Sequence, residues 1–292
     1  MKHQTMIELK CRFETKDPDA VLSTLVDSCG FGATLEAKIE AKPEREEYWA
    51  KIYAKTDSEA LLFKKKLIQI QTPIFTHFRM RSISSNQWAL RWKKGLKNVR
   101  ILNKLVIQPL WLKYKKRRGE KVIRLDPDMA FGTGHHATTQ MCLEWLVQQA
   151  HDWKSICDVG CGSGILSIAA AKLGIQEILA LDMDPEAILI SQKNARLNRV
   201  AQKIKFIASP LQKIKSKKGY SAVLANLTAL DIKKNWKELE QLTNQNLILA
   251  GIEESQVKEF LPWLQSHKNW KILEGKSIGE WHGWLLKKQF KV

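Results

Sequence analysis

Three glycines stand at alternate positions in Asp158-Val159-Gly160-Cys161-Gly162-Ser163-Gly164, two residues behind an acid. Glycine lacks a Cβ, so such a run can turn sharply and lay its backbone against a ligand. A second acid, Asp182, ends an apolar run roughly twenty residues further on, where a carboxylate can hold ribose hydroxyls. The combination points to a nucleoside-containing cofactor, with Asp158, Gly160, Gly162, Gly164 and Asp182 as its candidate contacts. The G-x-G-x-G spacing differs from the G-x-G-x-x-G run that seats a pyrophosphate on a helix N-terminus.

Two other constellations carry chemistry. The stretch from Asp126 to Thr139 packs Phe131, Gly132, Thr133, Gly134, His135, His136, Thr138 and Thr139 into a short span. Its threonine hydroxyls can donate to a carboxylate or accept from an amine, and either histidine can carry a proton. The ordinary reading of the paired histidines is a capped, solvent-facing turn. No third ligand has suitable spacing for zinc, so no metal is expected. The third constellation, Asn226-Leu227-Thr228-Ala229, ends an apolar run. In open parallel sheets ligands bind outside the carboxyl ends of the strands, which puts Asn226 at a reaction site rather than in a core.

These residues need elements to hold them. From residue 122 onward apolar runs and helical patterns alternate: strands near 156–160, 178–182, 204–208, 221–226 and 247–251, and helices near 164–173, 185–198, 230–242 and 254–265. Such alternation predicts an α/β fold, a mostly parallel sheet with helices on both faces. Val122–Leu125 reads as a short strand, Thr138–Gln149 as an amphipathic helix, and Trp270–Leu273 with Trp281–Lys287 as a terminal strand pair. Upstream, the order β-α-β-β-α-β (Met6–Phe13, Asp17–Cys29, Ala33–Ala41, Glu47–Ala54, Thr56–Ile70, Thr76–Ile83) predicts a small α+β, ferredoxin-like domain. The expected organisation is residues 1–83 as that domain, 84–121 as a basic linker and hinge, and 122–292 as the α/β domain.

With 292 residues the chain has room for two domains, and 44% hydrophobic residues suffice for real cores. No apolar run reaches the ~18 residues of a membrane span and no signal-peptide core follows Met1, so a cytoplasmic protein is expected. The five cysteines lack a C-x-x-C pair and read as buried free thiols. The net charge of +18 is concentrated: twelve lysines and arginines lie between Arg91 and Lys121, with Glu120 the only acid. That segment reads either as a solvated surface or as a contact for RNA or a ribonucleoprotein.

The glycine loop resembles the first motif of class I S-adenosylmethionine (SAM) methyltransferases. Asp126 to Thr139, Asp158 to Gly164, Asn226 to Ala229, the late Gly251-Ile252-Glu253-Glu254-Ser255-Gln256 and Trp92-Lys93 together resemble the ribosomal protein L-eleven methyltransferase (PrmA) family, in order across most of 86–287. For residues 1–83 the likeness rests on domain order alone. The resemblance implies SAM as cofactor, a substrate-recognition role for residues 1–83, and methylation of amino groups of a large-subunit ribosomal protein. It places SAM contacts on Thr139, Gly160, Asp182 and Asn226, with Phe131, Thr133 and Gly134 on the methyl and substrate side; apart from the resemblance, His135 or His136 could pass the amine's proton to water. Related amino-group enzymes often carry Asn-Pro-Pro-Tyr at the Asn226 position; Ala229 cannot stack on a base as that tyrosine would, which favours an aliphatic amine. An RNA methyltransferase and a non-catalytic ribosome- or RNA-binding module stand as alternatives. Leu227-Thr228 in place of the family's Ile-Leu and the strong basicity are departures.

Overall fold

The computed structural model describes residues 5–15, 21, 33–37, 46–54, 56–70, 74–84, 97–126, 134–214 and 218–289. The chain divides into two compact units, Met1–Gly95 and Leu96–Val292. Among the described residues no helix is long and apolar enough to cross a membrane.

In the first unit, strands β1 (Thr5–Thr15), β2 (Ala33–Ala37), β3 (Glu46–Ala54) and β4 (Thr76–Ser84) form an antiparallel sheet in the order β2-β3-β1-β4. Alternation along β1 buries Leu9, Cys11 and Phe13 on one face. Helix α1 (Asp57–Gln69) lays Ala60, Phe63 and Leu67 into the same core, the spacing of a helical stripe. Thr56 caps it by accepting from the Glu59 amide at 3.2 Å, and Asp57 and Glu59 suit the positive end of its dipole. The helix expected over Asp17–Cys29 lies outside the described residues apart from Val21, which is helical and buried.

The second unit holds a seven-stranded sheet. Its strands are β8 (Ser155–Val159), β9 (Glu177–Asp182), β10 (Ile204–Ala208), β11 (Tyr220–Asn226), β12 (Thr243–Glu253), β13 (Trp270–Ile278) and β14 (Trp281–Lys288), in the order β10-β9-β8-β11-β12-β14-β13. β10 through β12 run parallel; β14 pairs antiparallel with both β12 and β13. β8 is buried at every position, as a central parallel strand must be. Helices α2 (Ala137–Gln149), α3 (Ile165–Leu173), α4 (Pro185–Leu197), α5 (Ala229–Lys234), α6 (Trp236–Leu242) and α7 (Glu254–Ser266) complete the layers. Two apolar clusters result, one containing Trp145, Ile168 and Leu224 and the other Val223, Leu249 and Phe260.

Two expectations meet a different structure. The helix predicted over 230–242 is broken at Asn235, whose side chain bonds the Asp231 carbonyl at 2.8 Å and so competes with the helical ladder. The segment 84–121 is not a linker from residue 97 onward. β5 (Val99–Ile101) and β6 (Leu105–Pro109) join β7 (Lys121–Leu125) in a three-stranded sheet belonging to the second unit, with Ile101, Leu105 and Ile107 buried in its core. The flanking lysines mask this apolar run in the sequence. Of the expected linker and hinge, residues 85–96 lie outside the described residues.

Candidate functional site

The glycine loop follows β8 and precedes α3, at the carboxyl edge of the sheet. Gly160, Gly162 and Gly164 all take positive φ (71°, 51° and 80°). The Gly160 and Cys161 amides donate to the Leu181 carbonyl at 2.8 and 3.0 Å, which folds the loop against the end of β9. Asp182, at that end, is half-buried; its carboxylate accepts from the Gly162 amide at 2.9 Å and the Asp184 amide at 3.0 Å. Each of its oxygens retains a second lone pair.

Asp158 has a different place. It is 1% exposed, and one carboxylate oxygen accepts both the Ser167 amide (3.0 Å) and the Ser167 hydroxyl (2.7 Å). Burial drives its pKa up to about 6; the Ser167 bonds oppose that rise and the nearby Asp182 charge adds to it. Expected as a cofactor contact, Asp158 instead braces the first turn of α3 beneath the loop.

Asn226 ends β11, one residue beyond Ala225, which pairs with Val159 of β8, so it stands level with the glycine loop. Its amide nitrogen lies 3.4 Å from the Thr139 hydroxyl, which joins two residues 87 positions apart. Thr139 is buried on the first turn of α2. The chain after Asn226 is gripped between two glycines. A Cβ on Gly160 would stand 2.7 Å from the Leu227 side chain, and one on Gly251 would stand 2.2 Å from the Leu227 carbonyl oxygen. Gly251 has φ 102°, so both space and backbone demand glycine there. Thr228 caps α5 through the Asp231 amide at 3.2 Å.

The histidines are structural anchors in this arrangement. His135 Nε2 lies 3.1 Å from the Lys97 amide and 2.9 Å from the Lys97 carbonyl, accepting or donating according to its tautomer. His136 caps α2, its Nδ1 accepting from the Thr138 amide at 3.4 Å, and stacks edgewise on Trp281 at 4.7 Å. Burial holds its pKa below the ordinary imidazole range. Gly134 is buried with φ 80°. Phe131 and Thr133 lie outside the described residues. Among the described residues no His, Cys, Asp and Glu cluster could hold a metal ion. Cys11, Cys142, Cys157 and Cys161 are buried thiols outside any disulfide, and burial raises the pKa of the last three.

Sequence pattern did not reveal the clamp between the two motif loops. On α4, Asn194 is fully buried. It donates to the Ser163 carbonyl of the glycine loop at 3.0 Å and accepts from the Asp126 amide at 3.1 Å. One helical turn on, Asn198 accepts from the Arg124 amide at 2.9 Å and donates to the Arg124 carbonyl at 2.6 Å. The only sequence signal was a pair of asparagines at i, i+4 on a helix whose interior disfavours them.

The sequence model described as ribosomal protein L11 methyltransferase (PrmA) matches residues 7–289. The protein so named from Geobacter sp. (strain M21) is 43% identical over 178 residues, covering 58% of this chain and 58% of that protein. The one from Geotalea daltonii is 36% identical over 221 residues, covering 71% and 69%. The match thus spans under two thirds of the Geobacter relative's length. Among solved structures, a ribosomal protein L11 methylase from Lactobacillus delbrueckii subsp. bulgaricus aligns with a TM-score of 0.60 at 28% identity, covering 67% of this chain and all of that one.

Proposed function

We propose that this chain, which belongs to the ribosomal protein L11 methyltransferase (PrmA) family, transfers methyl groups from SAM to amino groups of a large-subunit ribosomal protein. The observation that carries the reading is the packing of the Asn226 element onto the Gly160 loop at the carboxyl edge of a parallel sheet. The site fits the cofactor. Gly160 and Gly162 turn the loop through positive φ, Asp182 offers a carboxylate to ribose hydroxyls, and Asn226 meets Thr139 beside them. Bound SAM supplies an electrophilic methyl on a sulfonium.

The chain's own residues then handle an amine. A lysine of pKa ~10.4 holds only about one part in 10³ to 10⁴ as free base near neutrality. Placing it against apolar walls lowers that pKa and raises the reactive fraction. The Asn226 amide aims the nitrogen lone pair, and the proton passes to water. Phe131 and Thr133 belong to the methyl and acceptor side by family resemblance. Residues 1–83 hold the substrate protein in this reading; cross-links from the acceptor confined to residues 96–292 would refute that. A ribosomal acceptor implies action in the cytoplasm.

The test is transfer of labelled methyl from SAM into ribosomal proteins by the full chain and by Asn226→Ala. The variant should lose roughly 10²-fold or more in turnover, as removal of a positioned polar group typically costs. Its SAM affinity, read by calorimetry, should stay within tenfold. Near-normal turnover would reject the orienting role. Label entering RNA rather than protein would reject the acceptor.

A further inference from the structure

The loop joining β6 to β7 is built around one buried acid. Glu120 is 2% exposed and accepts from Arg100 at 2.8 Å, the Tyr114 hydroxyl at 2.7 Å and the Arg117 amide at 2.8 Å. Burial alone would raise its pKa; those donors outweigh it and hold the carboxyl below its ordinary value. The loop is pinned at two further points. The Leu110 amide bonds the Leu125 carbonyl at 2.9 Å, and the Asn98 side chain bonds the Lys113 carbonyl at 3.2 Å. The one acid of the segment is therefore spent inside, while Lys113, Lys115, Lys116 and Arg118 face solvent, and none of the four forms an ion pair among the described residues.

Neighbouring elements add charge and shape. Arg124 on β7 is exposed and stands opposite Gln108 on β6. A cleft of about 470 Å³ lies between them and the loop, lined by Gln108, Leu110, Leu112, Lys113, Tyr114 and Arg124. Lys172 on α3 has its pKa lowered by burial and then by Lys116, Arg124 and Lys121, so these cations share one field with no carboxylate among the groups that act on it.

We propose that this face, the 110–120 loop with Arg124 and Lys172, is a preformed docking surface for the phosphate backbone of a nucleic acid, separate from the methyl-transfer site. Like charges held together by a buried scaffold cost free energy in the unbound chain, and a polyanion relieves it while releasing its own counterions. The donors suit phosphate oxygens: lysines as point charges, arginines as forks, and a cleft wide enough for a backbone group. The proposal does not depend on which acceptor is methylated.

The test uses the full chain and fluorescence anisotropy with a labelled 20-base-pair RNA duplex, a DNA duplex of the same sequence, and poly-L-glutamate as competitor. Lys116→Glu with Arg118→Glu should weaken duplex binding at least tenfold at 0.1 M salt and flatten the log K against log[salt] slope by about two. Reversing Lys237 and Lys258, exposed lysines on α6 and α7, the helices that pack into the other apolar cluster, should change affinity less than twofold. Thermal melting checks that both variants fold. Preference for either duplex supports the proposal and names the source of phosphate; equal binding supports it as recognition of the shared backbone. Equal losses from both charge reversals, or displacement by poly-L-glutamate at the same charge concentration as by duplex, would overturn it.

Discussion

The glycine loop and the basic loop each rest on a single buried carboxylate, and the pKa values of the two end on opposite sides of the ordinary value. Asp158 is 1% exposed and Glu120 is 2% exposed. Asp158 receives two bonds from one neutral serine and sits near the Asp182 charge; its pKa rises to about 6. Glu120 receives an arginine, a phenol and an amide, and its pKa falls. Desolvation raises both; at Glu120 the Arg117 amide, then the Tyr114 hydroxyl and Arg100 outweigh it, whereas at Asp158 the two Ser167 bonds do not. The lesson is that two neutral serine donors leave a buried acid with a raised pKa, whereas an amide, a phenol and a guanidinium together keep one firmly charged.

The largest effect should come from Asp158→Asn. An aspartate whose folded-state pKa lies above its unfolded value penalises folding when ionised; the penalty is full above about pH 6 and fades as pH falls toward 3.8. The stability difference between variant and parent should therefore shift by up to about 3 kcal/mol in the variant's favour between pH 4 and pH 8, read by denaturant unfolding at each pH. No shift would mean that Asp158 is not strained. Ser167→Ala should act in the other direction and more weakly. It removes one bond to a buried charge and should cost about 2 kcal/mol at pH 8, and less at pH 4.5, where Asp158 holds its proton. The smallest effect, confined to one loop, is expected from Glu120→Gln. Tyr114 titrates above the ordinary tyrosine value chiefly because its hydroxyl donates to Glu120. In the variant, ultraviolet titration should find that phenol returned toward the usual range. An unmoved Tyr114 would contradict the central role given to Glu120.

Much of this was legible in the residues. The alternation from 155 to 266 placed nearly every strand and helix within a few positions, because parallel strands and their covering helices announce themselves by apolar runs of different length. Asn226, Thr139, Asp182 and the glycines do converge on one sheet edge. The misses have physical reasons. β5 and β6 are short apolar runs between lysines, so composition hid what burial made clear. Asp158 was taken for a ligand contact because spacing says which residues lie near a loop and not which way a side chain turns. Ser167 and Asn194 act through hydrogen bonds to distant backbone, which carry no periodic signature.

Asn194 has a consequence for motion. Its one amide group holds Ser163 of the glycine loop and Asp126 at the entrance to the histidine-bearing segment. A rotation of that side chain breaks both bonds at the same instant. Ser163 and Asp126 are thus coupled through one residue that lies entirely inside the protein.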